Sequence, residues 1–244
     1  MMLEKKILIN LGLHSISELE KIIGYKNVVL DKNLFFYLDK KNCKKYNSCS
    51  FEKINFSHYI RRKKGKPKGY RVVLSKKNKT LSNQNSNPPG ITDGSSFIKI
   101  RRDSLLRNTR KRMHSMSCKE FKRIERGHLL AECFKNYVPK ALNFNFSRNN
   151  PDNIYPQWDF ANATNKESKE IFGQHYFESI ILNKLENGDD IYYEVEAIFK
   201  HDNFSFPVGN RLFARMNNTG EILFHVFVPN CFYRNPDIFK ENSK

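Results

Sequence analysis

The most regular pattern of apolar and polar positions lies in the last third of the chain. Three segments there are rich in β-branched and aromatic residues and predict strands, namely 191–199, 211–216 and 222–228. The polar segment 217–220 contains a glycine and favours a hairpin between the last two strands. A helix is predicted from near Ala161 to Leu185, ahead of these strands. Strands, an embedded helix and then an antiparallel sheet predict an α+β fold.

The first part of the chain carries weaker signals. The apolar run 7–13 predicts a strand. A short helix should follow, because Ser15 and Glu18 form a capping box and Gly24 supplies an end signal. Other short segments predict strands at 27–30, 34–38 and 97–100, and a polar loop at 82–90.

The polar loop separates two parts of different character. Residues 1–95 form an N-terminal segment of uncertain status that ends in a basic and polar loop. This segment either completes the sheet of the main domain or forms a distinct regulatory or targeting piece. Residues 96–240 are predicted to form the core domain, since 244 residues fit one large domain, alone or with a small appendage.

Positive charge is concentrated in one third of the chain. The whole sequence carries 43 Lys and Arg against 25 Asp and Glu, a net charge of +18. Residues 61–126 hold 21 of these bases and four of the acids, so 21 − 4 = +17 of the excess lies there. This distribution favours a nucleic-acid partner, because clustered cations release counterions from a phosphate backbone. A solvated basic loop is the plain alternative for a run such as 61–66, and an anionic membrane surface is a weaker one.

Several classes of protein are excluded by composition. No stretch of about 18 apolar residues is present, which excludes a transmembrane helix. The five cysteines include no Cys-x-x-Cys pair, which argues against a disulfide scaffold or a zinc-thiolate site. The run 7–13 is short and lacks a small-residue cleavage site after it, so no export signal is expected. As written, the chain is expected to be cytoplasmic, with leaderless export or delivery as an effector left open.

Two short segments carry side chains suited to catalysis. The first is 125–128, in which Gly127 permits a tight backbone path and His128 can take a proton near neutral pH. In the second, Asn162 should lie in the first turn of the predicted helix, with Glu170 about 12 Å further along its axis. An amide oxygen is a hard, neutral ligand that suits Mg²⁺. Taken singly, each residue has a structural explanation: a hydrogen-bonded histidine, a helix cap and an exposed helix surface.

Together the two segments resemble the DNA/RNA non-specific endonucleases of the ββα-metal (His-Me finger) fold. The family signature is an acid-Arg-Gly-His run, here 125–128, followed by an Asn-x-x-x-Gln segment, an Asn and a Glu. In this sequence those positions are Asn153, Gln157, Asn162 and Glu170, with matching spacings of four, five and eight residues. Segments 191–199 and 224–230 resemble the branch that contains bacterial DNA-entry nucleases and streptococcal DNases. The resemblance implies that residues 96–240 form a nuclease core, with the metal-site helix beside a central antiparallel sheet.

The same resemblance implies a role for each residue. His128 is the expected general base, and Asn162 is the expected ligand of a single Mg²⁺ or Mn²⁺ ion. Glu170 is expected to bond water on that ion and to assist protonation of the leaving group. Asn153 and Gln157 are expected to fix His128 or the substrate phosphate by hydrogen bonds. Arg126 and Arg123 are the expected cations on the substrate, although a structural salt bridge is an equal explanation for Arg126.

Two departures from the family pattern bear on these roles. Glu125 stands where the family usually has Asp, and Gln174 stands where some members carry an Arg, which weakens the case for a phosphate clamp there.

The expected substrates are DNA and RNA, cut without base specificity because a metal and cations contact the backbone. The alternative is a catalytically inactive nucleic-acid-binding protein on a nuclease scaffold. A non-specific nuclease endangers its own host, so we expect an inhibitor or activator protein, or a role as a toxin or defence effector.

Overall fold

The computed structural model describes residues 2–39, 51–55, 67–78, 124–147, 150, 152–162, 171–201 and 206–231. The four helices in these ranges are α1 (Met2–Asn10), α2 (Ile16–Ile23), α3 (Asp159–Asn162) and α4 (Gln174–Glu186). The nine strands there are β1 (Val29–Leu30), β2 (Phe36–Tyr37), β3 (Phe51–Asn55), β4 (Pro67–Leu74), β5 (Ile124–His128), β6 (Ile154–Trp158), β7 (Ile191–Ile198), β8 (Gly209–Met216) and β9 (Ile222–Pro229). Short 3₁₀ turns occur at Lys76–Asn78, Glu132–Phe134 and Lys140–Leu142.

One large antiparallel sheet organises the fold. Its strand order is β1-β2-β9-β8-β7-β4-β3, and β5 and β6 form a separate two-stranded ribbon. The predicted α+β class with a central antiparallel sheet is confirmed. Strands β7, β8 and β9 match the three predicted C-terminal strands to within two residues, and a turn at Asn217–Gly220 joins the last two.

Strands from both sides of position 95 share this sheet. Strand β4 pairs with β7, with Tyr70 opposite Val195, and β2 pairs with β9, with Phe36 opposite Phe227. At least these parts of the N-terminal segment are therefore built into the main sheet. The predicted loop at 82–90, the predicted strand at 97–100 and most of the basic region lie outside the described residues.

The N-terminal apolar run is a helix, so the predicted strand at 7–13 is wrong. Leu3 and Ile7 of α1 and Leu11 directly after it recur every four residues, which is the helical period, and pack into one cluster. The capping signals of α2 are confirmed: the Ser15 hydroxyl accepts the Glu18 N–H at 3.2 Å, and Gly24 ends the helix with φ of 76°.

The single helix predicted from near 161 to 185 is wrong in its middle. Residues 171–173 are not helical, and α4 begins only after Gly173, whose backbone is extended. The Phe172 N–H donates to the Asn33 carbonyl at 3.0 Å, and Ile171 is buried. These contacts bind the segment to the N-terminal region and prevent it from continuing a helix.

The two faces of the sheet are covered differently. Helix α4 packs Phe177, Ile181 and Leu185 into a core with Tyr193 and Leu212 of the sheet. Each such side chain contributes roughly 1.5–3 kcal/mol on burial. On the opposite face, α1 and α2 pack in a second cluster with residues of β2 and β9. None of the helices in the described ranges is long and apolar enough to span a bilayer.

A cluster of oppositely charged side chains lies on the central strands of the large sheet. Arg211 of β8 is buried, and its guanidinium contacts Glu194 at 2.6 Å and Glu196 at 3.1 Å. Lys68 of β4 also contacts Glu196, at 2.6 Å. Burial opposes ionisation of Glu196, but Arg211 and Lys68 outweigh it and lower the pKa of this carboxyl.

Candidate active site

The β5–β6 ribbon and α3 together form a β-β-α unit. In the ribbon, Glu125 lies opposite Gln157 and His128 lies opposite Ile154. Strand β6 is buried throughout, and α3 begins at Asp159, directly after the strand. The chain therefore turns back at the end of β6, and Asn162 at the end of α3 returns to the side of β5.

Asn162 and Glu125 meet across this turn. The side-chain NH₂ of Asn162 donates to Glu125 Oε2 at 2.6 Å. An amide has its donor and acceptor at different atoms, so this bond fixes which end of the carboxamide faces Glu125. The amide oxygen is the atom left to bind a hard cation.

His128 lies at the end of β5 and is half-buried. Its Nε2 lies 3.2 Å from the carbonyl oxygen of Phe146. Because a carbonyl can only accept, this bond requires the hydrogen to be on Nε2. In the neutral ring the basic lone pair is then on Nδ1. Glu125 precedes His128 by three residues, which spans roughly 10 Å of strand.

Asn153 holds the backbone that follows His128. Its side chain is fully buried, and its Oδ1 and Nδ2 bond the N–H and carbonyl of Leu130, each at 2.9 Å. Its backbone carbonyl accepts the Leu129 N–H at 2.8 Å. Of the two predicted roles, these contacts agree with fixing His128 rather than with holding the phosphate.

Gly127 and Gln157 occupy adjoining space in the ribbon. A Cβ at Gly127 would overlap the amide oxygen of Gln157, so only glycine fits against this side chain. Gln157 is 2% exposed, and its Nε2 donates to Gln174 Oε1 at 3.2 Å. The amide of Gln157 is therefore buried inside the ribbon, and its predicted role in substrate binding stays a prediction.

A buried polar network lies next to the end of β5 and was not predicted from the sequence. Gln174 at the start of α4 donates from Nε2 to the carbonyls of His128 and Leu129, at 2.8 and 3.0 Å. It also contacts Glu178 at 2.7 Å, and Asn210 of β8 donates to its Oε1 at 2.6 Å. In the sequence, Gln174 stands out only as a departure from the family pattern. No motif near Glu178 or Asn210 indicates that they belong to a buried network.

Burial raises the pKa of Glu178 to about 7, although its hydrogen bond from Gln174 acts in the opposite direction. This carboxyl therefore changes charge near neutral pH, inside the protein and one hydrogen-bonded side chain away from the His128 backbone.

The structure describes only one of the three remaining predicted site residues. Arg126 is exposed on β5, opposite Pro156. Glu170 and Arg123 lie outside the described residues. Within the described ranges, no three His, Cys, Asp or Glu side chains are grouped so as to hold a metal ion.

Comparisons with known proteins agree with this architecture. A family model described as DNA/RNA non-specific endonuclease matches residues 38–235, which include the β5–β6 ribbon, α3 and most of the large sheet. NucA from Streptococcus agalactiae has a similar structure, both with magnesium ion bound and with no metal bound. Each form is 17% identical, covers 88% of this chain and 87% of its own, and gives a TM-score of 0.55. The Sda1 nuclease with bound zinc ion is 13% identical over 75% of each chain, with a TM-score of 0.46.

Proposed function

Because this chain belongs to the DNA/RNA non-specific endonuclease family, we propose that it is a metal-dependent hydrolase that uses His128 as general base and Asn162 as metal ligand. The observation that carries this proposal is the 2.6 Å bond between Asn162 and Glu125. It brings the candidate ligand to the strand that ends in the candidate base. The substrates are DNA and RNA, cut without base specificity.

The donor chemistry at Asn162 fits a magnesium ion. Glu125 occupies the amide NH₂, and the neutral oxygen that remains is of the type that Mg²⁺ prefers. Magnesium usually keeps several waters, so one protein ligand is compatible with binding. When bound, the ion would neutralise charge on the scissile phosphate. The magnesium-bound form of NucA, a protein of similar fold, supports this choice of metal.

In this proposal His128 accepts a proton from the attacking water. With hydrogen on Nε2 and the Phe146 carbonyl as its partner, Nδ1 takes the proton as the water oxygen bonds to phosphorus. The Phe146 carbonyl then stabilises the imidazolium. The bond from phosphorus to the 3′-oxygen breaks, and that oxygen takes up a proton, so the products are a 5′-phosphate and a 3′-hydroxyl.

Two further side chains complete the proposal. Arg126 lies on the same strand as His128 and is exposed, which allows its guanidinium to face a substrate phosphate. Glu170 is proposed, from the family pattern alone, to assist protonation of the leaving oxygen. Neither role requires contact with a base edge, in agreement with poor sequence specificity.

The test is digestion of plasmid DNA and RNA in Mg²⁺ or Mn²⁺, with and without EDTA. Wild type should cut both substrates, and EDTA should abolish cutting. His128→Ala should lose roughly 10²–10⁴-fold in rate while still shifting DNA in a gel. The exposed His14 provides the matched control, because His14→Ala should cut like wild type. Unchanged cleavage by His128→Ala would rule out this base.

Asn162→Ala tests the metal ligand separately. Cleavage should fall, and the concentration of Mg²⁺ needed for half-maximal rate should rise, because the protein oxygen that holds the ion is lost. An unchanged metal requirement would refute the assignment of Asn162. If wild type leaves both nucleic acids intact but still binds them, the chain is the inactive nucleic-acid-binding protein.

A further inference from the structure

The side chain of Gln174 in α4 donates a hydrogen bond to the backbone carbonyl of His128. It is the first residue of the helix and is 2% exposed. Its NH₂ group faces three acceptors, namely the carbonyls of His128 and Leu129 and the carboxyl of Glu178, at 2.7–3.0 Å. Two hydrogens serve three acceptors, so at least one bond is shared.

The surroundings of Gln174 permit one orientation of its amide. The oxygen accepts from Asn210 at 2.6 Å and from Gln157 at 3.2 Å, and the nitrogen faces acceptors. A flipped amide would place oxygen against two carbonyl oxygens, which repel it. Because the site is buried, water cannot replace a lost bond cheaply, and the orientation is strongly held.

The backbone that carries the His128 ring is therefore anchored from two sides. Gln174 holds the carbonyls of residues 128 and 129, while Asn153 holds the N–H groups of 129 and 130 and the carbonyl of 130. The ring itself bonds the Phe146 carbonyl. A shift of the 128–129 peptide would move the ring directly, since Cα–Cβ geometry is fixed by the backbone.

We propose that Gln174 is a positioning residue for catalysis, which holds the His128 backbone so that its imidazole meets the attacking water in the productive geometry. This inference rests on the proposed role of His128 as general base. Asn210 acts with Gln174, because it donates to the amide oxygen and keeps the NH₂ group turned towards β5. No substrate contact is involved, since both side chains are buried.

The experiment replaces Gln174 by Met, which has similar volume and no hydrogen-bond donor. Misplacement of a catalytic group by about 1 Å can lower the rate about 100-fold. We expect Gln174→Met to lower kcat about 10- to 100-fold with KM for DNA unchanged within about twofold. The matched control is Ile181→Val in the same helix, which loosens core packing, removes neither of the Gln174 bonds to the carbonyls of residues 128 and 129, and should keep kcat.

A second readout observes the ring directly. Long-range ¹H–¹⁵N NMR of the histidine rings distinguishes the two neutral tautomers, and His128→Ala assigns the signal. Wild type should show the Nε2–H form for His128, as its bond to Phe146 requires. Gln174→Met should broaden or shift this pattern, whereas Ile181→Val should not.

The outcomes separate this inference from the proposed function. A fall in kcat together with an altered His128 signal supports positioning. An unchanged kcat, or a lowered kcat with an unchanged His128 signal, overturns it even if His128→Ala is inactive. If wild type does not cleave, the proposed function fails, and with it a positioning role in catalysis. Should Gln174→Met not fold, Asn210→Ala should give a smaller fall, about 3- to 10-fold, with the same spectral change.

Discussion

Replacing Glu178 by Gln should make the protein more resistant to unfolding above neutral pH. The carboxyl is buried next to Gln174. Burial raises the pKa of the Tyr193 phenol, and the nearby Glu178 raises it further. Burial raises the pKa of Glu178 from 4.5 to about 7. A Gln at this position keeps an oxygen for the Gln174 NH₂ but never ionises.

The magnitude follows from linkage between ionisation and folding. Between pH 4.5 and about 7 the unfolded carboxyl is ionised while the folded one keeps its proton, so stability falls as pH rises. Above pH 7 both states are ionised and the penalty is constant. The pKa of Glu178 differs by about 2.5 between the unfolded and the folded protein, and each pKa unit corresponds to about 1.4 kcal/mol. Ionisation of Glu178 therefore lowers the free energy of unfolding by an amount on the order of 3 kcal/mol.

Urea unfolding at pH 4.5, 6, 7 and 8 measures this effect. Fluorescence of the chain's one tryptophan, Trp158, reports the transition because the side chain is buried in β6. The free energy of unfolding of Glu178→Gln minus that of wild type should grow by about 3 kcal/mol across this range. The exposed Glu221 supplies the control, since Glu221→Gln removes the same charge. A difference that stays flat with pH, or that grows equally in the control, would refute the reasoning.

Three other changes have defined outcomes. Gly127→Ala should destabilise the fold by about 1–3 kcal/mol, because its Cβ would overlap Gln157; an unchanged melting temperature would contradict this. Arg211→Met should cost about 3–5 kcal/mol in urea unfolding, since the buried Glu194 would lose its 2.6 Å contact and keep the longer one to Arg71 at 3.8 Å, and a loss below about 1 kcal/mol would argue against this. Neutralising the four bases at 61–64 should weaken DNA binding and reduce its salt dependence by roughly one unit of slope per lost phosphate contact, and an unchanged slope would show that these bases do not contact DNA.

The C-terminal strands could be predicted because their signals are local. Segments of β-branched and aromatic residues, with a glycine-containing turn between the last two, contain the information within about ten residues. The N-terminal run 7–13 misled because seven consecutive mostly apolar residues fit either a strand or a helix. The contacts of Ile7 and Leu11 with residues of the second core cluster, far away in the chain, decide in favour of the helix.

The residue types of the candidate site could be predicted from the sequence, but the directions in which their side chains point could not. Motif spacing identified Asn162, Gln157 and His128, but spacing does not say which side chains point inward. Gln157 points into the protein because the absent side chain of Gly127 leaves room for it. The bond from Asn210 to Gln174 joins residues 36 positions apart, and no local pattern marks a buried amide. Such pairings appear only when the sheet is assembled.

The position of β4 has a consequence for how the chain reaches its native state. Tyr70 pairs with Val195, so 195 − 70 = 125 residues separate two partners in the middle of the large sheet. Pairings of this separation slow folding, because the two ends of the long intervening segment must meet before the contacts between the two strands can form. During synthesis the ribbon that carries His128 leaves the ribosome before β7 and β8 do. Since Asn210 of β8 donates to Gln174, the newly made chain completes the hydrogen bonds that hold the strand of His128 only after most of its length has emerged.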